Sequence, residues 1–188
     1  MGKITVVTGG ARSGKSSYAE QIAKGIGLDE KVLYIATAIA FDEEMQDRVN
    51  KHKEARPKHW DTYEGFENLH DIILEKGDKY NTILLDCITV MITNIMFNNG
   101  KFDEDNITQE VLDEIESSIT DQLEKLLASA NEKNTHLIMV TNEVGSSVVP
   151  EAKLARVFRD LAGRANQLIA KGAHEVYLLV SGIPVKIK

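Results

Sequence analysis

Five stretches of the chain are apolar and rich in β-branched residues without polar alternation: KITVVT (3–8), KVLYIAT (31–37), NTILLDC (81–87), THLIMVTNE (135–143) and EVYLLVSG (175–182). Helix-length material separates each from the next, and that order predicts an α/β fold. A strand apolar on both faces has to be covered on both, which is the condition of a mostly parallel β-sheet flanked by helices. A short additional strand is suggested around HWDTYE (59–64). Helices are predicted at 16–25, behind a glycine-rich turn, and at 42–56, which is acidic at its start and basic at its end, in the order that complements a helix dipole. A third covers 106–131, where Ile107, Val111, Ile115, Ile119, Leu123, Leu126 and Leu127 recur at spacings that mark one apolar face. A fourth covers 150–171, with Pro150 at its start and Gly172 just past its end. FNNGKFDEDN (97–106) reads as a loop. With no internal repeat or linker, the expected organisation is one domain over 1–188.

Composition narrows the function classes. At 188 residues and 43% hydrophobic content the chain can bury one full core. Its net charge of −7 argues against nucleic-acid partners and anionic membranes, since affinity for either rests on neutralising phosphates. No apolar run approaches the ~20 residues that span a bilayer, and the N-terminus lacks the pattern of a secretory signal. The expectation is a cytoplasmic protein with no stable membrane insertion. The single cysteine, Cys87, rules out an intramolecular disulfide and reads as a small buried apolar residue.

The most specific motif is GGARSGKS. Gly9, four residues, then Gly14, Lys15 and Ser16 satisfy the spacing of a phosphate-binding loop, with a strand before and a helix after. Glycines let backbone N–H groups turn towards a phosphate, and the helix N-terminus adds favourable potential for the anion. Lys15 is placed to reach the β/γ oxygens and the Ser16 hydroxyl to ligate a nucleotide-bound Mg²⁺. Asp86, at the end of TILLD, fits the acidic partner such a loop needs, and a strand-end aspartate can equally cap the following helix. These residues indicate nucleoside-triphosphate use, whether by a kinase, a switch GTPase or an ATPase.

Among the five histidines, at 52, 59, 70, 136 and 174, only His52 stands in an unusual setting. It shares a helical stripe with Met45, Arg48 and Arg56, and Lys51 and Lys53 flank it. Nearby cations favour the neutral imidazole, whose lone pair can attack phosphorus. A basic, solvated helix end explains the same residues, and both readings stand on this pattern alone. Thr141, Asn142 and Glu143 emerge at a strand end, where an α/β sheet presents its ligand crevice. Arg156, Arg159 and Arg164 are either an ion-paired face or an anion clamp.

Taken together, TGGARSGKSSYAE, LYIATA, DEEMQDRVNKHKEARPKHWDTYE, ILLDCITVMITN, VTNEVGSSVVPEAKLARVFRDLAGRANQ and VSGIPVKIK resemble the bifunctional adenosylcobinamide kinase / adenosylcobinamide-phosphate guanylyltransferase family over nearly the whole chain. The resemblance implies a RecA-like P-loop fold and a homotrimer. It implies two successive reactions: ATP or GTP phosphorylates adenosylcobinamide, and GTP then donates GMP to adenosylcobinamide phosphate through a guanylyl-histidine. His52 matches the reactive histidine. Nucleotide contacts carried over by motif are Gly9, Gly10, Ala11, Arg12, Ser13, Gly14, Lys15 and Ser16 of the loop, Ala36, Thr37 and Ala38 of IATA, Lys53, Glu54, Ala55 and Arg56 after the histidine, Glu64, and Asp86, with Ser16 and Asp86 at the Mg²⁺. The chain departs from the family pattern at Lys51, where relatives often carry a second histidine, and at Ala152 in GSSVVPEA, where relatives carry an asparagine. The readings set against it are a GTP-dependent binding or regulatory module, and a descendant that keeps one of the two activities.

Overall fold

The computed structural model describes residues 2–25, 31–39, 53–54, 56–98, 100, 102 and 108–188. Seven strands form one sheet in the order β3-β2-β4-β5-β1-β6-β7. They are β1 (Ile4–Gly9), β2 (Val32–Ala36), β3 (Asp61–Glu64), β4 (Thr82–Asp86), β5 (His136–Val140), β6 (Glu175–Val180) and β7 (Ile183–Lys186). All neighbours pair in parallel except β6 and β7, which are antiparallel. The five apolar runs are thus five central strands, and HWDTYE supplies the edge strand β3.

Alternate residues of those runs serve two different cores, which is why the runs carry no polar alternation. Val7, Tyr34, Leu84, Ile138, Val140 and Leu179 pack on one face with Ala19 and Ala23 of α1 (Lys15–Lys24). Ile4, Val6, Leu33, Ile35, Ile83, Leu85, Leu137 and Met139 pack on the other. That second face is covered by α2 (Leu69–Lys76), α3 (Ile88–Asn98), α4 (Gln109–Glu132) and α5 (Lys153–Gly172). On α4, Ile115, Ile119, Leu123 and Leu126 are buried, while Val111 and Leu127 are partly so. Thr108 caps this helix, its hydroxyl accepting from Val111 N–H at 3.4 Å. Ile107 and most of the predicted helix 42–56 lie outside the described residues.

One expectation needs correction, and two further elements were not predicted. The last helix begins at Lys153, not Pro150: Ala152 is extended, and the Arg156 side chain turns back to donate to the carbonyls of Pro150 and Glu151. ITVMITNIMFN is a helix, α3, although its sequence lacks a polar face, because it is buried around most of its circumference. Ser181 and Gly182, both with positive φ, turn β6 into β7, a two-residue hairpin suited to the twist of the strands.

Two histidines bind the start of the sheet. His174 Nδ1 accepts from Ile4 N–H at 3.0 Å, and His136 Nε2 lies 2.9 Å from Thr5 Oγ1. Burial, reinforced by Lys3, pulls the His136 imidazole down to about 4. A histidine protonating near 6.5 in the unfolded chain and near 4 in the fold stabilises the fold above pH 6.5, and that contribution is lost as pH falls from 6.5 to 4. Relative to His136→Gln, the native chain should lose on the order of 2 kcal/mol more across this window, after discounting for partial solvent screening. Urea unfolding at pH 7, 5.5 and 4.5 measures it, and parallel pH profiles for the two proteins would rule it out.

Candidate active site

The site lies along the carboxyl edge of the sheet. β1 ends at Gly9, whose φ of 153° and surroundings both require glycine: an added Cβ would meet the Leu179 carbonyl oxygen at 2.6 Å and Ser13 Oγ at 2.8 Å. Gly14, at φ 92°, stands at the N-cap of α1 and offers no capping side chain, which leaves the first helical N–H groups for an anion. The loop is held from β6 and β7 as well, because Gly182 N–H donates to the Ser13 carbonyl at 2.9 Å. Lys15 is buried, and its ammonium donates to the Gly10 carbonyl at 2.6 Å. Desolvation lowers its pKa, opposed by Cys87 and Asp86.

Asp86 closes β4 and faces the same side of the sheet as Tyr34 on β2, whose hydroxyl donates to Asp86 Oδ2 at 2.8 Å. The Asp86–Cys87 peptide bond is cis. Thr37 clasps this corner. Its hydroxyl donates to the Cys87 carbonyl at 2.8 Å and accepts from Cys87 N–H at 2.9 Å, and its own N–H donates to the Asp86 carbonyl at 3.1 Å. Asn94 on α3 secures the Thr37 carbonyl at 2.6 Å. Thr37 is fully buried, so among the predicted contacts its side chain is a brace.

The Arg56 guanidinium carbon lies over the Tyr34 ring, 3.7 Å from its centroid. Its Nε and Nη1 are buried without a hydrogen-bond partner. On the rim, Lys53 pairs with Glu64 at 2.6 Å. These groups surround a cleft of about 430 Å³, a size suited to a small-molecule ligand. Of the residues predicted from sequence, Ala11, Arg12, Lys15, Ser16, Ala36, Ala38, Arg56, Glu64 and Asp86 line it. Gly9, Gly10, Ser13 and Gly14 shape the loop behind it. Lys53 and Glu54 are exposed, and His52 and Ala55 lie outside the described residues.

Sequence reasoning missed four lining residues, Tyr34, Cys87, Val90 and Val140, while Asn142, expected at the ligand crevice, does line it. The available signal for Tyr34 was a hydroxyl inside a strand covered on both faces, where it must find a partner. Asn142 is fixed by its backbone, with its N–H donating to Thr89 Oγ1 at 2.7 Å and its carbonyl accepting from Asn166 at 3.0 Å. Cys87 is only partly buried; burial and Asp86 push its thiol up to about 12, which leaves it no nucleophile at neutral pH. The arginines of α5 are engaged elsewhere: Arg156 with Pro150 and Glu151, Arg159 with Asp160, Arg164 with Glu116. Arg159 and Arg164 are thus ion-paired, and Arg156 is tied to backbone carbonyls.

A buried lysine, an unpaired guanidinium and a helix N-terminus on one side of a cleft suit a polyphosphate, and the Ser16 and Asp86 oxygens suit a small divalent cation bound to it. The family model for cobinamide kinase / cobinamide phosphate guanyltransferase matches residues 5–187. The chain belongs to this family. It is 44% identical over 186 residues, covering 98% of this chain and 99% of the relative, to the bifunctional adenosylcobalamin biosynthesis protein CobU of Escherichia coli (strain K12). Identity is 46% over 185 residues to the protein of the same description from Salmonella typhimurium, covering 98% of this chain and 99% of the relative. It is 35% over 183 residues to the bifunctional adenosylcobalamin biosynthesis protein CobP of Pseudomonas aeruginosa, covering 97% of this chain and 96% of the relative. Among solved structures, a KaiC-like protein, PH0186 of Pyrococcus horikoshii OT3, matches with a TM-score of 0.50 at 15% identity, covering 94% of this chain and 70% of that one. That likeness shows the RecA-like P-loop fold.

Two substitutions separate the family's cradle from its brace. Lys15→Met should weaken guanine-nucleotide binding about 100-fold, read by titrating a fluorescent GTP analogue, while leaving the thermal melt nearly unchanged. Thr37→Val keeps the shape but leaves Cys87 N–H unpaired, and should cost about 1–3 kcal/mol in urea unfolding.

Proposed function

We propose that this chain phosphorylates adenosylcobinamide with ATP or GTP and then transfers GMP from GTP to adenosylcobinamide phosphate, in the nucleotide-loop assembly of cobalamin. The observation that carries this reading is the convergence of Lys15, Arg56 and Asp86 on one cleft, on a chain that is family-like over almost its full length. In the first transfer the substrate hydroxyl oxygen bonds to the γ-phosphorus, the bond to the β-bridging oxygen breaks, and the nucleoside diphosphate leaves with the proton lost to solvent. Lys15 and the α1 N-terminus hold the phosphates in line, and positioning of this kind supplies much of the rate of phosphoryl transfer.

In the second transfer a neutral His52 nitrogen bonds to the α-phosphorus of GTP and pyrophosphate departs. A phosphate oxygen of adenosylcobinamide phosphate then displaces the histidine, which gives adenosylcobinamide-GDP and restores the imidazole. Supporting this assignment, Lys53, the next residue in the chain, is tied to Glu64 on the rim, and Arg56 four residues on lines the cleft. Mg²⁺ would be held by Ser16 and Asp86, two hard oxygen donors of the kind that leave the remaining positions to phosphate and water, and would neutralise charge on the leaving group. The assembly is a homotrimer, for which the exposed Val180, Ile183, Val185 and Ile187 of the terminal hairpin and its tail offer apolar surface. Among the described residues no helix is long and apolar enough to cross a membrane.

Incubation with α-³²P-GTP and Mg²⁺ should give an acid-labile, alkali-stable protein label that γ-³²P-GTP does not give. His52→Ala should abolish that label yet still convert adenosylcobinamide to its phosphate. Retention of the α-label would refute His52 as nucleophile, and loss of both reactions in a folded variant would refute the separation of the steps.

A further inference from the structure

The geometry points to Tyr34 as a positioning residue that orients both electrostatic arms of the nucleotide site, the Asp86 carboxylate through its hydroxyl and the Arg56 guanidinium through its ring. The inference rests on the nucleotide reading of the cleft but not on the corrinoid substrate. Tyr34 is 1% exposed and sits on β2 with Leu84 of β4 as its register partner, so Asp86, two residues further on, lies on the same face of the sheet. Its hydroxyl occupies one oxygen of that carboxylate at 2.8 Å.

The opposite side of the residue does different work. The guanidinium carbon rests 3.7 Å from the ring centroid, a cation–π contact that uses none of the N–H donors. Two of those donors, Nε and Nη1, are buried without partners, on a residue that lines the same cleft as Lys15, Ser16 and Ala38. A buried donor left unpaired costs free energy unless a ligand satisfies it, and a nucleotide phosphate is the chemistry that fits a guanidinium edge. Without the hydroxyl, the carboxylate would be free to rotate towards Lys15 or Arg56. Without the ring, the guanidinium would lose its plane. One side chain therefore contacts both the Asp86 carboxylate and the Arg56 guanidinium cation and ties their positions to each other.

The test uses binding of the non-hydrolysable guanosine 5′-(β,γ-imido)triphosphate by calorimetry, in EDTA and across a Mg²⁺ titration. Tyr34→Phe keeps the ring and removes only the hydroxyl, so affinity in EDTA should stay within about twofold while the Mg²⁺-dependent gain falls about tenfold. Tyr34→Leu should lose about tenfold in EDTA as well. Because that variant strips a buried position and can fail to fold, Arg56→Gln stands beside it and should reproduce the EDTA loss with an unchanged Mg²⁺ midpoint. Native Mg²⁺ dependence in Tyr34→Phe would overturn the inference, as would an equal loss in EDTA for Tyr34→Phe and Arg56→Gln. Failure of the native protein to phosphorylate adenosylcobinamide would sink the proposed function and leave this split in binding intact.

Discussion

The site depends on one row of backbone hydrogen bonds. Across the sheet Val7 is in register with Val140, Val140 with Asp86, Asp86 with Ala36, and Ala36 with Glu64. This row places the end of the phosphate loop's strand, the acid and the rim carboxylate at one carboxyl edge. The arrangement cannot slide by small steps. A one-residue slip of β4 would turn Asp86 to the opposite face of the sheet, beside Ile35 and Met139 of the neighbouring strands, and bring an apolar residue to the cleft. The two hydrophobic cores on the two faces oppose such a slip, so the packing that makes the sheet parallel and buried also sets where the charges stand.

Within that frame the polar groups fall into two classes. Those that brace are saturated: Thr37 is engaged on its N–H, hydroxyl and carbonyl, and the Asn142 backbone is held by Thr89 and Asn166. Those that face the cleft are undersupplied. Lys15 donates to the Gly10 carbonyl of its own loop, and Arg56 has two buried donors with no acceptor among the described residues. Buried donors in this condition lower stability, and a fold tolerates them where a ligand later supplies the acceptors. Rigid surroundings and unsatisfied donors together describe a site preorganised for an anion.

How much of this was legible in the sequence follows from the range of each interaction. The phosphate loop was readable because its chemistry is local: glycines at fixed offsets, a lysine and a hydroxyl, all within eight residues and bounded by strand and helix. Asp86 was readable because a charge ending an apolar run cannot be core. Tyr34 was not, since in LYIA it satisfies the apolar pattern, and its hydroxyl partner comes from a strand 52 residues later. Helix α3 was hidden for a related reason. Its residues are apolar on nearly every side, so periodicity could not tell a buried helix from a strand. The shift of the α5 start from Pro150 to Lys153 came from a side chain, Arg156, turning back to the carbonyls that Pro150 was expected to set.

The two halves of the cleft are anchored by different parts of the fold. The phosphate loop leans on β6 and the hairpin turn: Leu179 excludes any side chain from position 9, and Gly182 holds the Ser13 carbonyl. The acid and the guanidinium lean on β2 and β4 through Tyr34 and Thr37. Strand β5, lying between β1 and β4, joins the halves and carries Asn142 to the cleft at its end. A change confined to the terminal hairpin can therefore disturb the phosphate cradle without touching the acid. The converse holds for a change at the β2 end. Such independent anchoring is what a site needs if the terminal phosphate of one triphosphate and the α-phosphate of the next are to be engaged in separate steps by one nucleotide pocket, because each set of contacts can be held at its own geometry.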